Sequence, residues 1–146
     1  MILGATFETE SNGVILAGGR GTRLWPMTAA VSKQLLPVAG RPMIYFPLST
    51  LMLAGIREIT LVCSPISLEP LRTLLGDGER FGLKLKFILQ EEPAGIAHGF
   101  GLASKQNENA PTVAILGDNF FFGPKLGMSL RNIFTQSRET KIFSKE

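Results

Sequence analysis

The stretch Gly13-Val14-Ile15-Leu16-Ala17-Gly18-Gly19-Arg20-Gly21-Thr22-Arg23 decides how the chain is read. Its first half is a short apolar run, which predicts a strand buried on both faces, as strands of parallel sheets are. The run then breaks into glycine at three of the four positions 18–21. Glycine permits positive φ and close backbone approach, and consecutive N–H groups in a tight loop form a nest for an anion. Arg20 and Arg23 add fork-shaped donors suited to phosphate oxygens. A plain strand-to-helix turn explains neither arginine.

The charge around the loop supports an anionic ligand. Between Ser11 and Arg57 there is no Asp or Glu, while Arg20, Arg23, Lys33, Arg41 and Arg57 give +5; the net charge of +3 leaves −2 for the remainder. A glycine-rich basic segment suggests a phosphate-bearing small molecule. A Walker A loop requires Gly-Lys followed by Ser or Thr, and Gly21-Thr22-Arg23 fails that requirement. A dinucleotide fingerprint requires a third glycine where Leu24 stands, and an acidic residue about 20 positions on, which is absent. Nicotinamide dinucleotide binding is therefore disfavoured. Nucleic acid is also disfavoured: no Lys/Arg run, zinc-finger spacing or RNP-type aromatic pattern occurs.

Working outward, Glu58–Cys63, Leu85–Leu89 and Thr112–Leu116 read as further strands. Helical patterns run over Pro42–Ala54, with a kink or a late start at Pro47, and over Leu68–Leu75, Gly95–Lys105 and Leu126–Gln136. Strands alternating with helices predict an α/β chain with a doubly wound, mostly parallel sheet. Ligands of such sheets lie beyond the carboxyl ends of the strands. The glycine loop, Gln90-Glu91-Glu92 and Asp118 are expected to converge there. Trp25 and Phe120-Phe121-Phe122 read as packing around the site, and His98 as a helix-face or loop histidine rather than a ligand.

The 146 residues, 45% hydrophobic and 18% charged, suffice for one domain with a real core. One cysteine, Cys63, excludes an intrachain disulfide and a cysteine-cluster metal site, and one histidine excludes a multi-histidine zinc site. No apolar run reaches the roughly 18 residues of a spanning helix. Met1–Phe7 lacks a basic region and makes a poor signal peptide, so the cytoplasm is the expected compartment.

Residues Gly13 to Pro47 closely resemble the sugar-nucleotide pyrophosphorylases, nucleotidyltransferases that activate sugar 1-phosphates. The resemblance rests on Leu16-Ala17-Gly18-Gly19-Arg20-Gly21-Thr22-Arg23-Leu24, Pro26, Ser32-Lys33-Gln34-Leu35-Leu36-Pro37 and Pro42-Met43-Ile44. Gln34 and the run Tyr45–Arg57 resemble the glucose-1-phosphate thymidylyltransferase branch, as do Leu74–Gly78 and Leu116–Asn119. The resemblance implies a Rossmann-like nucleotide-binding half of a nucleotide-diphospho-sugar transferase fold, truncated here. It implies dTTP and glucose 1-phosphate as reactants and Mg²⁺ as cofactor. Arg23 and Lys33 would serve catalysis by contacting the triphosphate. Leu16, Gly18, Gly19, Gly21, Gln34, Gln90 and Gly95 would bind the nucleotide, and Asp118 the metal. His98 departs from the pattern, where glutamine is expected.

The resemblance spans about Gly13 to Gln136, so a nucleotide-binding domain is expected over 13–138, with an extension over 1–12 and an atypical tail over 139–146. Full-length relatives are implied to be about twice as long and homo-oligomeric, with a second lysine and a second metal-binding aspartate downstream. This chain is therefore expected to be an impaired transferase that self-associates. The alternative is a non-catalytic nucleotide-binding fragment or a regulatory partner of a full-length enzyme.

Overall fold

The computed structural model describes residues 11–19, 21–92, 94–105 and 111–136. Within them lie six strands, β1 (Asn12–Ala17), β2 (Pro37–Val38), β3 (Arg41–Pro42), β4 (Glu58–Cys63), β5 (Lys84–Leu89) and β6 (Thr112–Leu116). Four α-helices accompany them, α1 (Tyr45–Leu53), α2 (Pro65–Leu75), α3 (Ile96–Ser104) and α4 (Leu126–Gln136). Four strands form one sheet in the order β5-β4-β1-β6, every pair parallel. Ile15 lies opposite Leu61 on one side and Ile115 on the other.

The twofold alternation of side chains divides the sheet between two cores. Ile15, Ala17, Ile59, Leu61 and Cys63 point into the larger one, with Leu48 and Leu51 of α1, Leu71 and Leu75 of α2, and Leu130 of α4. Val14, Leu16, Val62 and Ile88 point the other way, against Ala103 of α3. Helices thus cover both faces, and the sheet is doubly wound and parallel as the sequence predicts. The connections from β1 to β4 and from β4 to β5 step in one direction; the next, through α3, returns past both to β6. The winding reverses between β1 and β6, and such a reversal opens a crevice at the strands' carboxyl ends.

Local chemistry corrects several boundaries. Helix α1 begins at Tyr45 rather than Pro42, because Arg41–Pro42 pairs with Pro37–Val38 in a small antiparallel hairpin. Its two-residue turn, Ala39-Gly40, has φ of 49° and 75°, the left-handed geometry that matches strand twist. Pro47 then falls in the first turn of α1, where its missing N–H removes no helical hydrogen bond. Helix α2 begins at Pro65, three residues before the predicted start, with Pro65 at the favoured first position. Ser64 and Ser67 cap its start reciprocally. The prediction of α4 over Leu126–Gln136 matches the structure. Among the described residues no helix is long and apolar enough to cross a membrane. Residues 1–10, 106–110 and 137–146, with Arg20 and Pro93, lie outside the described set, and with them the expected tail and most of the expected extension.

Cys63 closes β4 with no exposed surface. Burial pushes its thiol up from the ordinary 9.0 to about 12, against smaller opposing effects of Arg72 and the Ser67 hydroxyl. Because the folded value is the higher, the stability due to the protonated thiol is intact below pH 9 and declines as pH rises toward 12. A disulfide reagent at pH 8 is expected to leave Cys63 unmodified in the folded chain and to label it in denaturant. Rapid labelling without denaturant would contradict the burial.

Candidate functional site

At the carboxyl ends of β1 and β6 lies a cavity of about 310 Å³. Leu16 and Leu116 form its floor, where the winding reverses. One wall is the loop after β1, with Gly18, Gly19 and Gly21. A second is the 3₁₀ turn Lys33–Leu35, supplying Lys33 and Gln34. Gln90 after β5, then Gly95, Ile96 and Gly99 at the start of α3, form a third, and Asp118 after β6 completes the enclosure.

Each wall is held by identifiable contacts. Gly21 has φ of 63°, and its carbonyl accepts a hydrogen bond from Thr28 Oγ1 at 2.9 Å. A Cβ at Gly21 would lie 3.0 Å from Thr28 Cγ2 and 3.1 Å from Lys33 Cβ, so loop and turn are closely packed. Buried Ser32 donates to Gln34 Oε1 at 2.6 Å, and Ile44 N donates to the Gln34 carbonyl at 2.9 Å. Gly117 N donates to Leu16 O at 2.9 Å, extending the β1–β6 ladder to the residue before Asp118. Gln90 N donates to Cys63 O at 2.7 Å, which fixes that residue to the end of β4.

Among the described residues, the two charges on the cavity wall are paired with one another. Lys33 Nζ donates to Asp118 Oδ2 at 2.5 Å, across 85 positions of sequence. Both side chains keep part of their surface in solvent, 26% and 36%, so the pair contributes little stability, about 0–1 kcal/mol. Its two charges remain accessible to a ligand that offers better partners to each. Among the described residues no group of three or more His, Cys, Asp or Glu could cage a metal. One carboxylate fits Mg²⁺ only where phosphates and waters supply the remaining oxygens, a common arrangement for that ion.

Nine of the ten residues expected from sequence therefore line one cavity, from Leu16 and the three glycines through Lys33, Gln34, Gln90 and Gly95 to Asp118. Arg23 does not: it is exposed, in the 3₁₀ turn Thr22–Leu24 that follows Gly21. Glu91 and Glu92 are also exposed, and Arg57 of the basic stretch donates to the Met52 and Ile56 carbonyls instead. The packing role expected of Trp25 and Phe122 is corrected: they are 71% and 79% exposed, although Phe122 flanks Phe46 with Phe120. The sequence reading missed Ile96, Gly99 and Leu116. Ile96 and Gly99 share a helix face at a spacing of three, and the glycine is the signal: a Cβ there would lie 3.2 Å from Leu16 Cδ2.

A Cβ added at Gly18 would overlap Gln90 Oε1, whereas at Gly19 nothing lies within 4 Å. Gly18→Ala is therefore expected to displace the Gln90 amide while costing about 1–3 kcal/mol of stability. In ¹⁵N spectra the Gln90 side-chain resonances should move in Gly18→Ala and stay in place in Gly19→Ala. Unmoved resonances in both would show that the two groups are not in contact.

Comparison with known proteins adds a second line. The nucleotidyl transferase family profile matches residues 12–144. The chain is 51% identical over 119 residues to a glucose-1-phosphate thymidylyltransferase of Mycolicibacterium smegmatis, covering 82% of this chain and 41% of that protein. It is 45% identical over 131 residues to one of Neisseria gonorrhoeae, covering 90% and 46%. The chain thus spans less than half the length of these relatives. Among solved structures, it superposes with a TM-score of 0.79 and 34% identity on a Bacillus anthracis protein assigned as a glucose-1-phosphate thymidylyltransferase and crystallised with sucrose. That match covers 86% of this chain and 51% of the other. A UDP-glucose pyrophosphorylase complexed with UDP-glucose shares the fold at a TM-score of 0.70 and 21% identity, covering 86% and 52%.

Proposed function

The chain belongs to the nucleotidyl transferase family, and from that membership we propose that it binds dTTP in the cavity at the β1–β6 reversal for thymidylyl transfer to glucose 1-phosphate. The products are dTDP-glucose and pyrophosphate. The observation that carries the reading is the meeting of a glycine loop, a lysine, a carboxylate and a buried amide in one cavity at the reversal. The names of the similar proteins support the choice of nucleotide and sugar. The cytoplasm is the compartment proposed with it.

In this reaction an oxygen of the sugar phosphate attacks the α-phosphorus of dTTP. A new P–O bond forms, the bond from the α-phosphorus to the bridging oxygen breaks, and pyrophosphate leaves with that electron pair. Such transfer requires in-line positioning and charge compensation rather than a covalent protein intermediate. Backbone N–H groups of the glycine loop would receive phosphate oxygens. Lys33 would leave Asp118 for the triphosphate, and Arg23, outside the cavity wall, would meet the phosphates at its rim. The freed Asp118 would hold Mg²⁺ together with phosphate oxygens; bound, the ion supplies further neutralisation of phosphate charge. Gln90 would face the edge of the base, with Leu16 and Gly95 beside it.

One observation favours the second reading, a nucleotide-binding module with little turnover. Among the residues described, the cavity wall carries one cation and one carboxylate, and losing a single transition-state donor can cost about 10²–10³ in rate. Isothermal titration with dTTP and Mg²⁺, paired with pyrophosphate release on adding glucose 1-phosphate, separates the two: heat without release selects the module. Lys33→Ala is expected to weaken dTTP binding about tenfold or more, in line with the roughly 1.5–3 kcal/mol of a charge-assisted hydrogen bond. Asp118→Asn should abolish the Mg²⁺ dependence of that binding. Affinities unchanged in both variants would remove the proposed phosphate and metal roles.

A further inference from the structure

Gln90, like Gln34, is a buried polar residue of the cavity wall, 6% exposed. Its side-chain nitrogen is held twice: Nε2 donates to the Gly95 carbonyl at 3.4 Å and meets His98 Nδ1 at 3.0 Å. A carbonyl can only accept, so the Gly95 contact decides which end of the amide is nitrogen. His98 Nδ1 must then accept, which places the ring proton on Nε2. The amide oxygen is left on the opposite side. It lies against Gly18 and 3.3 Å from where a Cβ of Gly99 would stand, both on the cavity wall. Among the described residues, Oε1 receives no donor. A buried acceptor facing a cavity without a protein donor calls for one from a ligand.

We infer that His98 is a positioning residue that locks Gln90 with its oxygen toward the cavity, so that the site selects a nucleobase offering a ring N–H. This deepens the proposed nucleotide reading and rests on it. Thymine and uracil present a ring N–H between two carbonyls; cytosine presents a bare ring nitrogen at the same position, which would oppose Oε1 lone pair to lone pair. Without an acceptor at Nδ1, the amide is held by the longer Gly95 contact alone and can rotate by half a turn. It would then offer N–H to the cavity and lose its preference against cytosine. His98 acts through Gln90: its side chain is exposed on α3 and is absent from the cavity wall.

The test uses the 146-residue chain in two arms. In the ligand-free protein, ¹⁵N spectra should place the His98 ring proton on Nε2, and His98→Ala should shift the Gln90 Nε2 resonance. In titrations with dTTP and dCTP, His98→Ala should reduce the ratio of the two affinities about tenfold, about the worth of one hydrogen bond. His98→Asn, whose Oδ1 can take the place of Nδ1, should restore the ratio to within about threefold. Alanine suits an exposed helix site, so loss of fold is not the expected cause, and a merely structural role would move both affinities together. A ring proton on Nδ1, an unmoved Gln90 resonance, or an unchanged dTTP-to-dCTP ratio in His98→Ala would overturn the inference. If the parent binds neither nucleotide, the nucleotide reading fails, and with it the base selection; the locking of Gln90 is then decided by the spectra alone.

Discussion

The parallel pairing of β1 with both β4 and β6 is the constraint on which the other features depend. It brings the carboxyl ends of three strands to one edge. A slip of one residue would exchange Ile15 and Ala17 with Val14 and Leu16 between the two cores, which differ in size and in the helices that cover them. The register therefore has no near competitor. It also places Leu16 at the floor of the cavity and Gly18 just beyond the ladder, beside Gln90. The position of the glycine loop follows from core packing several residues away.

Much of this was legible in the sequence, for physical reasons that differ by element. Strands β1, β4 and β6 are short apolar runs ended by glycine or proline, and buried parallel strands need that composition. The cavity residues were legible because the chain resembles a known family over the glycine loop and Ser32–Pro37. The hairpin of β2 and β3 was not legible: two residues per strand carry no periodicity, and the turn depends on Ala39 adopting a left-handed conformation that its type rarely takes. The start of α2 at Pro65 was not legible because the first turn, Pro65-Ile66-Ser67, precedes the apolar pattern that opens at Leu68. Charge was a partial guide. The acid-free stretch holds five basic residues, yet among the described ones Lys33 alone is found on the cavity wall. Gly99 and the link from His98 to Gln90 depend on how α3 lies over β1 and β4, which spacing alone does not encode.

The site combines rigid and adjustable parts. Leu16, Gly117 and Gln90 are held by backbone hydrogen bonds that extend the sheet. Lys33 and Asp118 are held mainly by one another. An ion pair in which both charges retain water can exchange partners at small cost, and a polyphosphate with a divalent cation would offer each charge an alternative. The fixed parts suit recognition of a base, and the exchangeable pair suits a polyanion whose charge is redistributed during transfer. The relatives are more than twice as long as the stretch they match here.

Hydrogen–deuterium exchange of the 146-residue chain, with and without dTTP and Mg²⁺, locates the nucleotide, because it reads every wall of the cavity at once. Slowed exchange is expected in the glycine loop over residues 16–22, in the turn over 33–35, over 90–99 up to the start of α3 and after β6 over 116–119. Little change is expected in the hollow lined by Tyr45, Glu69 and Arg80 on another part of the surface. Protection confined to that hollow, or no protection of the glycine loop under conditions where binding heat is measured, would contradict the placement of the nucleotide at the reversal between β1 and β6.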